Sequence, residues 1–171
     1  MTCLVAIERA GRVWVGCDSF LGTDDVRDVV DRPKWFRRSG VLVGHAGSFR
    51  AAQVVEHGAD FRRREKGEPE QAYLVGVVAC SFRKALNAAR VRLRTAEFLL
   101  AYRGKAYALQ NDYSVVRSSH GYVTIGAGSD VANGAMAVLH EGDAREAVTR
   151  ALAAAERHST KVGGRFHITC V

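Results

Sequence analysis

A chain of 171 residues with 47% hydrophobic content is long enough to bury a sizeable core, and one domain over residues 1–171 is expected. It has no run of 18 apolar residues and no basic-then-apolar leader, so no membrane partner is expected. The net charge of +7 suggests nucleic acid, but the basic clusters at Lys34/Arg37/Arg38, Arg62 to Arg64 and Arg90/Arg92/Arg94 lack interleaved aromatics or a recognition motif; no nucleic-acid partner is expected.

Along the chain, residues 3–8 and 12–17 are apolar, β-rich runs around Arg9-Ala10-Gly11, a hairpin pattern. The polar stretch Thr23 to Asp31 reads as a loop or short edge strand, and residues 34–37 and 41–44 form a second hairpin around Ser39-Gly40. Ser48 is placed to cap a helix whose apolar face is Phe49, Ala52, Val55 and Ala59. The charged segment from Arg62 to Glu70 ends it, and Leu74, Val78, Phe82, Ala85 and Ala89 mark a second helix. Strands return at about 96–102 and 105–110, joined at Arg103-Gly104, then near 114–117 and 122–126. Ser129 is placed to cap a helix over 130–139, and Asp143 with Glu146 three residues on matches a capping box for the last helix. A strand at about 165–171 closes an order ββββ-αα-ββββ-αα-β, an α+β class.

Chemistry concentrates at the start. Thr2 follows the initiator Met, and its small side chain suits Met removal by an aminopeptidase. It would then carry a hydroxyl nucleophile and a free α-amine on one residue, and that amine, with a reference pKa of about 8, is a ready base. Asp18 and Lys34 follow sixteen and thirty-two residues later. A nearby lysine ammonium would disfavour the protonated amine, and a buried lysine would need a carboxylate to hold it, the role suited to Asp18. The turn Gly44-His45-Ala46-Gly47 can present the Gly47 N–H to a developing oxyanion. Singly, Asp18 reads as a turn residue, Lys34 as a strand-end lysine and Gly47 as a turn glycine; their coincidence with a processable Thr2 carries the argument. Cys3, Cys17, Cys80 and Cys170 are scattered without metal-ligand spacing, so core thiols in a reducing cytoplasm are expected, with no metal or organic cofactor.

These segments resemble the β-type subunits of the proteasome, most closely the bacterial HslV-like branch of the N-terminal-nucleophile hydrolases. The resemblance is carried by Met1 to Ile7, Val15-Gly16-Cys17-Asp18-Ser19, Pro33-Lys34, Gly44 to Ser48, Ile125-Gly126-Ala127-Gly128-Ser129, and Val162 to Ile168. It implies a four-layer αββα sandwich and a threonine-type endopeptidase acting in a closed homo-oligomeric ring on polypeptides, with an ATPase unfoldase as a partner to test for. By position in the family pattern, Leu21, His45 and Phe49 would line the pocket for the side chain preceding the scissile bond. The family's turn serine near the nucleophile's amine is replaced here by Ala127, leaving Ser129 to take that hydrogen bond or simply to cap its helix. Ser159 and Val162 stand where many relatives carry an Asp and a Ser. Two further readings stay open: a non-catalytic scaffold subunit that keeps Met1, and an amidohydrolase acting on small amides.

Overall fold

The first hairpin forms where expected: β1 (Cys3–Arg9) pairs antiparallel with β2 (Arg12–Cys17), and the chain reverses through Ala10 and Gly11, both at positive φ. The computed structural model describes residues 2–22 and 27–171. A short ribbon follows, β3 (Phe20–Gly22) against β4 (Arg27–Val29), so the short strand expected as one option for 23–31 is present in its second half; residues 23–26 lie outside the described residues. The next hairpin, β5 (Trp35–Arg38) with β6 (Val41–Gly47), starts one residue later and runs three further than expected. That displacement leaves Lys34 at the mouth of β5 rather than within it.

Ser48 caps α1 (Phe49–Gly58), its hydroxyl accepting the Ala51 N–H at 3.2 Å. Of the basic cluster Lys34/Arg37/Arg38, Arg38 donates to the carbonyls of Glu56 and Ala59 at the end of α1, and Lys34 is buried, as its proposed role requires. The second helix is continuous but not uniform. α2 (Glu70–Tyr73) passes through a π-helical segment, Leu74–Ala79, into α3 (Cys80–Ala88). Its buried stripe is Leu74, Val78, Phe82 and Leu86, a period of four that an ordinary helix would drift away from. The wider π turn keeps that stripe on the core, so Leu86 is buried; the expected Ala85 packs half-buried against the same core, while Ala89 is not part of that cluster.

β7 (Ala96–Tyr102), β8 (Lys105–Leu109), β9 (Val115–Val116) and β10 (Tyr122–Gly126) come next, followed by α4 (Ser129–Leu139), α5 (Ala144–His158) and β11 (His167–Cys170). The Asp143 carboxylate caps α5 through the Glu146 N–H at 2.8 Å. Ser129 does not cap α4. Gly128 holds the cap position with no side-chain bond, because the chain enters the helix one residue earlier than the Ser-Asp pattern implied.

The strands form two main antiparallel sheets, ordered β10-β1-β2-β11 and β5-β6-β7-β8-β9. Side-chain alternation assigns their faces. Cys3, Val5 and Ile7 on β1 pack against Met136, Val148 and Leu152 of the α4–α5 layer. Leu4 and Ala6 turn the other way, onto Leu42, Ala46 and Leu99 of the second sheet. The outer face of that sheet, including Val43, Phe98 and Leu100, meets Val55, Val78 and Phe82 of the other helix layer. Three apolar seams separate four layers, the expected αββα sandwich. Small residues set the spacing: a Cβ on Gly44 would lie 2.5 Å from Leu4 Cδ2 between the sheets, and one on Gly16 would lie 2.4 Å from Val148 Cγ1 under α5. No helix of the described residues is long and apolar enough to cross a membrane.

Candidate active site

Thr2 lies at the start of β1 with 2% of its surface exposed, at one end of the seam between the sheets. The end of β2 delivers Asp18 beside it. Asp18 and Cys3 bond reciprocally: the Asp18 N–H donates to the Cys3 carbonyl at 3.2 Å, and the Cys3 N–H donates to Asp18 Oδ1 at 2.9 Å. The Cys3 nitrogen belongs to the peptide that joins it to Thr2, so this carboxylate is anchored directly on the candidate nucleophile's own backbone.

The same Oδ1 accepts Lys34 Nζ at 2.9 Å, and that ammonium also donates to the Phe20 carbonyl at 2.7 Å. Asp18 Oδ2 accepts the N–H groups of Phe20, at 3.3 Å, and Gly163, at 3.2 Å. The pair is almost fully enclosed, with Lys34 1% and Asp18 0% exposed. Isolated charges at such depth would be strongly unfavourable; the ion-pair contact and the three backbone donors to the carboxylate offset that cost. Burial still pulls the Lys34 ammonium below its ordinary 10.5, against the attraction of Asp18.

The surrounding loops are fastened to the pair. Ser19 Oγ accepts the Arg165 N–H at 2.8 Å, and a Cβ on Gly164 would strike that hydroxyl at 2.4 Å. Val162 is buried against Gly128, where a Cβ would lie 2.6 Å from Val162 Cγ2. Cys3, Phe20 and Gly163 thus enter through backbone groups. Their side chains carry no sign of this.

Gly47 ends β6 at φ +82, next to Ala46. Ala46 faces Gly126, whose own φ is +94; a Cβ there would lie 2.3 Å from the Thr2 carbonyl oxygen and 3.0 Å from Ala46 Cβ. The Gly126 turn therefore touches both the Thr2 carbonyl and Ala46, the residue before Gly47. Ser129 follows Gly128, whose N–H donates to the Thr2 carbonyl at 3.4 Å, and lines an open cleft with Ser118, Tyr122, Thr124 and Asn133.

Of the residues expected to form a specificity pocket, His45 and Phe49 share a cavity with Lys34, their rings meeting edge-on at 6.0 Å. Its volume is about 30 Å³, room for one or two waters. Leu21, half-buried on β3 opposite Asp28, is not among the residues lining it. Burial, with Lys34 and Arg32 nearby, holds the His45 imidazole down at about 4, so it is neutral near pH 7. An Arg32–Glu56 ion pair at 3.3 Å closes the rim. Burial also pushes the Cys3 and Cys17 thiols up to about 12, which keeps both protonated and poor as nucleophiles.

No protein-family model matches the sequence, and no curated protein matches it. Solved structures do. BPH of Thiobacillus denitrificans, determined in complex with epoxomicin, matches with a TM-score of 0.80 at 16% identity over 99% of this chain and 97% of its own. HslV of Trypanosoma brucei matches with a TM-score of 0.77 at 18% identity over 98% of each chain. Anbu, an ancestral beta-subunit from Yersinia bercovieri, matches with a TM-score of 0.74 at 14% identity over 99% of this chain and 81% of its own. At these identities the likeness is one of architecture, and over nearly its whole length this chain has the fold of the proteasome-type N-terminal-nucleophile hydrolases.

Proposed function

We propose that this chain is a threonine-type endopeptidase subunit, active once Met1 is removed. The observation that carries the reading is the double use of Asp18 Oδ1, which takes both the N–H of the peptide after Thr2 and the buried ammonium of Lys34. A buried lysine fixed at that point has no better structural explanation, since an apolar pair of similar volume would pack as well without the desolvation cost.

The chemistry follows from those positions. The neutral α-amine takes the Thr2 hydroxyl proton, directly or through one water, as Oγ bonds to the peptide carbonyl carbon. The carbonyl π pair moves onto oxygen, and the Gly47 N–H stabilises that oxyanion. Collapse breaks the carbon–nitrogen bond; the departing amine takes the proton from the Thr2 ammonium and leaves an ester on Oγ. Water then attacks the ester with the same amine as base, releasing the acid and restoring the hydroxyl. Lys34 keeps the amine from protonating too readily, and Asp18 keeps Lys34 in place. The raised thiol pKa values of Cys3 and Cys17 favour oxygen over sulfur as nucleophile.

The cavity at His45 and Phe49 would receive the side chain preceding the scissile bond, with Leu21 at its approach. A volume of about 30 Å³ and a neutral imidazole favour small side chains. With fluorogenic peptides differing only at that position, Ala or Val should exceed Arg and Trp in kcat/KM by at least about tenfold. Equal rates for Trp would remove this cavity from the specificity argument.

Assembly into a homo-oligomeric ring in the cytoplasm, with or without an ATPase unfoldase, belongs to the same proposal; the architecture shared with HslV and Anbu supports it. Mass spectrometry of protein from its own source tests the core of the reading. The expected result is loss of Met1 and a covalent adduct on Thr2 after exposure to epoxomicin, the ligand of the Thiobacillus structure. Retained Met1 without an adduct would identify a scaffold subunit instead. An adduct without peptide cleavage would point to small amides as substrates.

A further inference from the structure

Lys34 donates to two acceptors that flank a single residue of the chain, the Asp18 carboxylate and the Phe20 carbonyl. Ser19 stands between them, 2% exposed, and its carbonyl and hydroxyl bond to other segments. The carbonyl accepts the Val30 N–H at 2.8 Å, which ties the turn to the chain just past β4. The hydroxyl accepts the Arg165 N–H at 2.8 Å, which ties the same turn to the loop between α5 and β11.

That loop also serves the ion pair. It carries Gly163, whose N–H reaches Asp18 Oδ2 at 3.2 Å from 145 residues further along the chain. Gly164 separates the two contacts at φ +80, a left-handed conformation suited to glycine. A Cβ there would meet Ser19 Oγ at 2.4 Å and Val29 Cγ1 at 2.9 Å, so loop and turn are in close contact. Gly163 and Arg165 thus present their N–H groups to adjacent residues of the turn, one to the Asp18 carboxylate and one to the Ser19 hydroxyl. Pinned at Arg165, the loop leaves Gly163 little freedom to depart from Oδ2.

We infer that Ser19 is a positioning residue for the Asp18–Lys34 pair: its hydroxyl latches the α5–β11 loop, and the Gly163 N–H then keeps the carboxylate turned with Oδ1 toward the ammonium. Without the latch, Oδ2 retains the Phe20 N–H at 3.3 Å and loses its other backbone donor. The carboxylate is then freer to rotate about its Cβ–Cγ bond, and the 2.9 Å contact with Lys34 Nζ lengthens. The ammonium depends on that contact, because burial already draws Lys34 below its ordinary 10.5 and Asp18 leads the influences that oppose it. The other titratable groups around Lys34 are the Cys17 thiol on β2, the Cys3 thiol on β1, His45 on β6 and, once Met1 is gone, the Thr2 amine. Arg32 and Glu56 line the adjoining cavity as an ion pair. Both thiols, pushed up to about 12, and the neutral His45 keep their state while Lys34 titrates below 10.5. The effect on catalysis rests on the peptidase reading, whereas the latch does not.

Ser19→Ala removes the acceptor and little else. In protein released from a cleavable fusion so that Thr2 leads the chain, the Lys34 titration is followed through its carbon-labelled Cε resonance, identified by its loss in Lys34→Met. Ser19→Ala should titrate about half a unit or more below the parent. Ser19→Cys, a weaker acceptor of similar shape, should fall between the two, and it decides the matter should the alanine variant not fold. The alkaline limb of kcat/KM should move down by the same amount. At its plateau kcat should drop about tenfold with KM within about twofold, since the enclosed Ser19 meets no substrate. A variant that is merely less stable would lose activity with its folded fraction and keep the parent's pH profile, and that result would overturn the inference. So would an unmoved Lys34 titration in either folded variant. Should the titration shift in a protein whose parent cleaves no peptide, the latch stands and the peptidase reading alone fails.

Discussion

A Thr2→Ala protein freed of Met1 should fold and assemble as the parent does and lose peptide cleavage by at least about 10⁴-fold, the scale seen when a nucleophile is removed from a catalytic unit. Alanine is as compatible with Met removal as threonine, so the α-amine, Lys34 and Asp18 all remain and only the attacking oxygen is lost. Thr2 is buried, but its carbonyl bond to Gly128 and the Cys3 bond to Asp18 are made by backbone and survive the change. The expected stability loss is therefore small, about 1 kcal/mol or less. Peptide assays paired with intact mass separate the two ways to fail: an inactive variant that keeps Met1 says nothing of the hydroxyl, whereas an inactive variant lacking Met1 assigns it. Undiminished cleavage by the Met-free alanine protein would end the threonine assignment, and the buried thiols offer no ready replacement.

Much of the fold was legible because its cues are local. The first hairpin announces itself by apolar runs on either side of a turn that Ala10 and Gly11 complete at positive φ, and α1 and α5 by Ser48 and Asp143. How the sheets stack was not legible, since it depends on meetings such as Leu4 with Gly44, forty residues apart in the chain. The π segment hid for a related reason: Leu74, Val78, Phe82 and Leu86 look helical, and only packing shows that their period of four is too long for an α-helix. At the candidate site, Asp18 and Lys34 were readable as residue types with complementary charge. Their backbone partners at Phe20 and Gly163 were not, because an N–H or a carbonyl is common to every residue. Ser129 misled because Ser-Asp ahead of an apolar stretch fits a cap whether or not the helix begins there.

Removing the lysine charge should be nearly as damaging as removing the nucleophile, and for a separable cause. Lys34→Ala leaves Asp18 with its backbone donors from Cys3, Phe20 and Gly163 but no cation, and deletes a buried aliphatic stem; a loss of about 3–5 kcal/mol is expected. Lys34→Met retains most of the stem, and combining it with Asp18→Asn removes the stranded charge, so the double variant should recover much of the thermal stability. Neither should recover cleavage, which is expected to stay down by at least about 10²-fold because the amine has lost the neighbour that keeps it neutral. A double variant that is both stable and active would reduce the pair to a packing device. The parent's pH behaviour offers an independent check. Because the folded Lys34 pKa lies below its ordinary 10.5, the unfolded chain binds that proton more tightly, and stability from this group rises with pH across the interval between the two. Activity that needs the ammonium falls over the same interval. Cleavage declining on the alkaline side, below pH 10.5, while denaturant midpoints hold or rise would mark Lys34 as a charge kept for function at a cost in stability.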